Sequence, residues 1–167
     1  MRMTAIASDR QQSFVLPSPL GDLEITMHGD ALTGLCYLPG RSVTRRGGKP
    51  STRAARNVAS QLRRYFDDPR RRFDLELAPQ GTSFQRRVWR LLSRIPLGRT
   101  LTYGEAARRL DSGARAVGGA CRSNPVPIVI PCHRVIAANA VGGYCGNMRG
   151  RMLHAKRWLL EHEQVQL

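Results

Sequence analysis

The chain has 167 residues, enough for one ordinary domain or two small ones. Its hydrophobic fraction of 41% argues against wholesale disorder, and no apolar run reaches the length of a membrane span. Lys and Arg number 27 against 12 Asp and Glu, a net charge of +15 that favours a polyanionic partner, most simply nucleic acid. Because 25 of the 27 basic residues are arginine, a compositional drift towards Arg on a solvated surface is the competing explanation. The charge is uneven. Residues 1–79 carry 13 basic and 8 acidic side chains, whereas residues 80–167 carry 14 and 4. The polyanion surface is therefore expected in the second half. The opening "MRMTAIASDRQQ" lacks the apolar stretch of a secretory signal, so a soluble cytoplasmic protein is expected. Cys36, Cys121, Cys132 and Cys145 form no CxxC pair and no zinc-finger spacing, so reduced thiols and no metal are expected.

In chain order, "SFVLPSPLGDLEITMHGDALTGLCYLP" reads as short strands broken by turns, with alternation at Leu23, Ile25 and Met27 and at Leu35 and Tyr37. "GRSVTRRGGKPSTR" reads as a Gly- and Arg-rich mobile loop. "STRAARNVASQLRRYFDD" has helical periodicity, with Ala54, Val58, Leu62, Tyr65 and Phe66 on one face and Pro69 at its end. A further strand is expected at residues 73–77.

At "PQGTSF" the pattern turns from strand-rich to helix-rich. Thr82 and Gln85 form a capping box before "FQRRVWRLLSRI", and Thr102 and Glu105 form another before "YGEAARRL". Ser112 is expected to cap a third helix, "GARAVGGACR". Two short helices joined by a tight turn have the outline of a helix-turn-helix. The third helix is small and nearly featureless, with Ala114 before, and Gly118 and Gly119 between, the two long side chains Arg115 and Arg122. Small side chains permit close backbone approach to DNA but read major-groove base edges poorly. A flat helix with one long Arg suits minor-groove, shape-based binding with little sequence preference. The last segment, "GRMLHAKRWLLEHE", reads as an amphipathic helix with Met152, Trp158 and Leu159 towards the core.

"PVPIVIPCHRVI" sets Cys132 and His133 directly after an apolar run. Two readings fit the dipeptide alone: a buried cysteine packing as a small hydrophobe, or a nucleophile beside its base.

"GTSFQRRVWRLLSRIPLGRTLTYGEAARRL", "ARAVGGACRSNPVPIVIPCHRVI" and "GGYCG" together resemble the O6-alkylguanine-DNA alkyltransferases over residues 80–163. The resemblance over residues 1–79 is limited to general layout. It implies an α+β protein. A small N-terminal α/β domain with a ribonuclease-H-like sheet would span residues 1–79. A mostly helical, winged-helix-like C-terminal domain, residues 80–167, would hold the helix-turn-helix and the active site. The implied chemistry is direct, irreversible dealkylation: a flipped guanine enters a pocket, and Cys132 takes the alkyl group from O6. Each molecule acts once, without a cofactor. By the same resemblance His133 takes the thiol proton through a water, Glu163 orients His133, and Asn124 braces the active-site turn. Tyr103 rotates the phosphate and hydrogen-bonds the flipped base, and Arg115 fills the space it leaves. Tyr144, with main-chain groups of Val135 and Cys145, completes guanine recognition. The implied partner is duplex DNA carrying O6-alkylguanine, with O4-alkylthymine as a further lesion, bound by a monomer.

Elementary chemistry agrees. The alkyl carbon has a poor leaving group, and attack needs a thiolate, whereas a free Cys with a pKa of about 8.5 is little ionised at neutral pH. Two departures from the family pattern stand out: Cys145 follows Tyr144 where a small or polar residue is usual, and the loop at residues 146–151 is longer. A non-catalytic damage-binding module would lack the intact "PCHR". A helix-turn-helix regulator would need base-reading side chains that "GARAVGGAC" lacks. A Cys-His hydrolase would need an oxyanion hole, and a bifunctional regulator would need a zinc-binding cysteine cluster.

Overall fold

The computed structural model describes residues 2–3, 11–39 and 48–166. Most of the Gly- and Arg-rich loop expected from the sequence lies outside the described residues. The chain divides into two compact units, Met1–Gln80 and Gly81–Leu167. The whole is mixed α/β, with five α-helices and a small sheet among the described residues.

The first unit is built on five strands, β1 (Arg2–Met3), β2 (Gln11–Leu16), β3 (Leu23–His28), β4 (Ala31–Tyr37) and β5 (Glu76–Leu77), in spatial order β1-β5-β4-β3-β2. β2, β3 and β4 form an antiparallel meander, while β5 runs parallel to both β4 and β1. Alternation on β3 buries Leu23, Ile25 and Met27, as their period of two requires. A register shift beside Thr26 and Met27 breaks strict alternation on β4, so Ala31 and Leu32 are buried in succession. Helix α1 (Arg53–Asp67) is capped by Thr52 and buries Ala55, Val58, Ala59, Leu62 and Tyr65.

Two expectations change here. Ala55, not Ala54, belongs to the core; Ala54 borders a surface hollow in the first turn, and Phe66 is only half-buried. The strand expected over residues 73–77 shrinks to Glu76–Leu77. The Gln61 side chain occupies both backbone groups of Asp74, accepting from its N–H at 2.7 Å and donating to its C=O at 2.9 Å. Asp74 has none left for a ladder.

The second unit contains α2 (Ser83–Leu92), β6 (Leu101–Thr102), α3 (Tyr103–Arg109), α4 (Ala114–Arg122), β7 (Val135–Ile136) and α5 (Gly150–His162). Both capping boxes are formed, Thr82 with Gln85 and Thr102 with Glu105. α2 buries Val88, Trp89 and Leu92, and the Trp89 indole N–H donates to Ala120 O at 2.9 Å, pinning α4. β6 and β7 pair in parallel and set the start of α3 beside the segment that follows Cys132.

Ser112 does not cap α4. The N-cap is Gly113, without a side-chain bond. Ser112 instead closes α3: its N–H bonds Ala107 O at 3.0 Å and that of Asp111 bonds Arg108 O at 3.3 Å, with Asp111 left-handed at φ 50°. This is a Schellman ending, and it commits Ser112 to the preceding helix. α5 also differs from expectation. Met152 and Trp158 are half-buried flanks, Trp158 stacking on His162, and the buried stripe is Ala155, Lys156, Leu159 and Leu160. Among the described residues no helix is long and apolar enough to cross a membrane.

Candidate active site

Between α4 and β7 the chain folds as a buried plug, not a strand. The Asn124 side chain accepts from Val126 N–H at 3.1 Å and donates to Ile130 O at 2.8 Å, closing the loop on itself. Ile128 sits at φ 75°, a conformation costly for a β-branched residue. Pro131, at φ −81° and ψ 66°, makes an inverse γ-turn closed by Cys132 N–H to Ile130 O at 2.8 Å. A 3₁₀ turn, Cys132–Arg134, follows. Consecutive side chains of that turn fan out to different surroundings.

Cys132 is buried, and its Sγ accepts from Asn124 Nδ2 at 3.1 Å. A hydrogen bond from the Cys145 thiol is the largest influence on Cys132. With those from Asn124 and its own backbone, and the Lys156 charge, it outweighs burial and holds the thiol below its ordinary pKa.

His133 is fully buried and points to the end of α5, where its Nε2 lies 2.9 Å from Glu163 Oε1. An ionised carboxylate only accepts, so Nε2 carries the proton and Nδ1 is the basic nitrogen. Nδ1 is buried without a hydrogen-bond partner among the described residues. Burial lowers the His133 pKa, and Glu163 only partly restores it, so the ring is neutral at physiological pH. Glu163 is the C-cap of α5. The helix stops there in a second Schellman ending, with Val165 N–H on Leu160 O and Gln164 N–H on Glu161 O, both at 2.9 Å. Arg134 grips the same carboxylate with two bonds, Nε to Oε2 at 2.7 Å and Nη2 to Oε1 at 2.9 Å, and also donates to Ile95 O. Burial pushes the Glu163 carboxyl up, but His133 and Arg134 prevail and hold it well below the usual carboxylate range.

A cavity of about 430 Å³ opens onto Cys132. Tyr103, Tyr144 and Cys145 line it, and Ala114, Arg115, Gly118 and Arg122 of α4 form one side. Gly119 is exposed on the same helix, with nothing within 4 Å of where its Cβ would be. Arg115, Gly118, Gly119 and Arg122 follow the i, i+3, i+4, i+7 spacing of one helical face. Tyr103 is the first residue of α3; burial pushes its hydroxyl up to about 12, so it remains a proton donor. Tyr144 is buried and meets His133 edge-on at 6.5 Å. Val135 is not in the cavity wall, and its carbonyl accepts from Lys156. Among the described residues no three His, Cys, Asp or Glu side chains are placed to hold a metal.

Residues 83–165 match the family described as 6-O-methylguanine DNA methyltransferase, DNA binding domain. The chain is 47% identical to the methylated-DNA–protein-cysteine methyltransferase of Methanosarcina mazei, over 67% of this chain and 70% of the relative. It is 40% identical to the protein of the same name from Mycobacterium tuberculosis, over 89% of this chain and 90% of the relative. The chain belongs to the methylated-DNA–protein-cysteine methyltransferase family. A solved relative of this methyltransferase family, Mycobacterium tuberculosis OGT in complex with DNA, superposes with a TM-score of 0.75 at 39% identity, covering 92% of this chain and 93% of that one.

Two residues beside the expected methyltransferase site escaped the sequence reading. Arg134 was in plain view in "PCHR", but nothing local reveals a partner 29 positions away. Lys156 is fully buried and donates to Val135 O at 2.6 Å and Gly143 O at 3.0 Å, 5.9 Å from the Tyr103 ring centroid. Burial lowers its pKa to about 8. A signal was available: it is one of only two lysines in a chain with 25 arginines. A compact ammonium between two carbonyls is not replaceable by a planar fork.

Proposed function

We propose that this protein repairs DNA by moving an alkyl group from O6 of a flipped guanine to Cys132, once per molecule. Membership of the methyltransferase family makes it a DNA-binding repair methyltransferase. The reading of the site rests above all on the Asn124–Cys132–His133–Glu163 arrangement at the floor of a cavity walled by α4.

Cys132 Sγ attacks the alkyl carbon, forming S–C as the C–O6 bond breaks; the bond's electron pair stays on the guanine, which regains its N1 proton from water. His133 Nδ1 takes the thiol proton through a bridging water, and the imidazolium so formed is stabilised by Glu163. The Tyr103 hydroxyl, kept protonated, donates to the flipped base. Arg115 fills the gap that base leaves, and the small residues Ala114, Gly118 and Gly119 let the α4 backbone approach the minor groove, with Arg122 beside them. In this reading α3 and α4 are a helix-turn-helix, and the first unit, with its mixed sheet and helix α1, is ribonuclease-H-like. Val135, Tyr144 and Cys145 frame the base, the last two from the cavity wall. A thioether has no easy route back to a thiolate, hence one turnover.

The test is intact-mass spectrometry after incubation with an O6-methylguanine duplex. One added methyl per molecule, mapped to the peptide containing Cys132 and absent from Cys132→Ala, is the expected result. Continued turnover on excess substrate would overturn the single-use mechanism.

A further inference from the structure

We propose that Cys145 is a positioning residue for the alkyl acceptor: its S–H donates to Cys132 Sγ and, with Asn124, forms a two-donor cradle that holds the nucleophile. The proposal rests on Cys132 being that acceptor.

The backbone at Cys145 is unusual. Cys145 and Gly146 are the central residues of a tight turn closed by reciprocal bonds between Tyr144 and Asn147, at 2.8 and 2.9 Å. Both have positive φ, 47° and 80°, as a type I′ turn requires. Asn, Asp or Gly fits the first of these positions most cheaply; a cysteine there carries strain. The Asn147 amide donates to Cys145 O at 3.1 Å and fixes the peptide. So held, Cys145 faces the same cavity as Cys132.

A buried thiolate needs donors in place of water. Asn124 offers Nδ2, which it also shares with Ile130 O. Lys156 acts on Cys132 through charge, because its ammonium is hydrogen-bonded to Val135 O and Gly143 O. Cys145 lines the same cavity wall as Cys132, and its thiol is placed to be the second side-chain donor to the sulfur. Cys121 also lines the cavity, but burial raises its pKa well above the ordinary thiol value, and it stays a neutral wall.

Loss of a donor and loss of packing have different kinetic signatures. Without the Cys145 S–H, the Cys132 pKa should rise, making the thiolate scarcer below the inflection. A more basic thiolate is also a better nucleophile. With the Brønsted sensitivity thiolates show towards disulfides, about 0.4–0.5, the gain per thiolate offsets only part of the loss in thiolate. Cys145→Ala should therefore react severalfold more slowly below the inflection and somewhat faster than the wild type above it. Its pH–rate curve crosses that of the wild type. Cys145→Ser, which keeps a donor, should return most of the shift.

The experiment measures transfer from free O6-benzylguanine against pH in the wild type, Cys145→Ala and Cys145→Ser, with the labelled peptide mapped each time. Thiolate ultraviolet absorbance, referenced to Cys132→Ala, gives the ionisation independently of catalysis. Crossing curves with an alkaline shift in both readouts support the proposal. An unmoved inflection, or a uniform loss at every pH, overturns it and leaves Cys145 a packing residue. A label on a residue other than Cys132 in the wild type would defeat the acceptor assignment itself.

Discussion

Glu163 carries more of the site than its place at a helix end suggests. It receives His133 and both arms of Arg134 while fully buried, so its negative charge balances a guanidinium and awaits a second cation when His133 takes a proton. Glu163→Gln separates these duties. The amide oxygen still accepts from His133 Nε2–H, so the ring keeps its tautomer, but Arg134 loses its counter-charge. Breaking a buried pair from one side costs about 3–5 kcal/mol, which urea unfolding should register. Alkyl transfer to Cys132 should also slow by about 10- to 100-fold, because the imidazolium is no longer stabilised. The measurement is the single-turnover rate on free O6-benzylguanine beside the unfolding midpoint. A destabilised variant with wild-type rate would make Glu163 a strut for Arg134 and nothing more.

At the scale of elements, α4 is unusual in presenting so little. Ala114, Arg115, Gly119 and Arg122 are exposed, and the helix is held from behind by Val117, Ala120, Cys121 and the Trp89 indole. A side chain added at Gly119 meets nothing within 4 Å, so Gly119→Leu should fold normally, favoured by about 0.5–1 kcal/mol of helix propensity. The same bulk would hold the helix off a DNA groove. The expectation is unchanged transfer from free O6-benzylguanine with weakened duplex repair. Arg115→Ala should also lower the ratio of duplex rate to free-base rate, here by tens- to hundreds-fold, since support for an extrahelical base is worth a few kcal/mol. The two variants part on binding. Gly119→Leu weakens binding to undamaged duplex, whereas Arg115→Ala leaves it largely intact. If Arg115→Ala weakened binding and lowered the salt slope by about one unit with the ratio unchanged, Arg115 would be a phosphate contact.

At the scale of the whole molecule, what the sequence made legible was local. Capping boxes at Thr82 and Thr102 satisfy neighbouring backbone groups, so spacing alone reveals them. What stayed hidden was set by distant partners. Gln61 shortened a strand 13 positions on. Ser112 was drawn into the ending of α3. The resemblance named Glu163 and His133 together, yet only the fold brings Arg134 and Lys156 to them. That cluster makes acid stability a readout of the second unit. The folded-state pKa of His133 lies below the unfolded value of about 6.5, and that of Glu163 below about 4.3. In each window the unfolded chain binds more protons, so the stabilisation is present above the unfolded pKa and is lost as pH falls. Trp89 and Trp158 are the chain's two tryptophans, and both lie in the second unit, so their fluorescence follows that unit alone. The urea midpoint by fluorescence should decline from about pH 6.5 downward as burial resists charging His133, and decline again below about pH 4.3 as Glu163 is protonated. Glu163→Gln should begin from a lower midpoint and lose most of the second decline, because its amide does not titrate and only Glu105, held low by its capping-box bonds, remains to contribute among the depressed carboxyls of the second unit's described residues. A wild-type midpoint that is level from pH 7 to 5 would mean that His133 charges as readily folded as unfolded, and the neutral, proton-accepting ring assigned to the site would have to be abandoned.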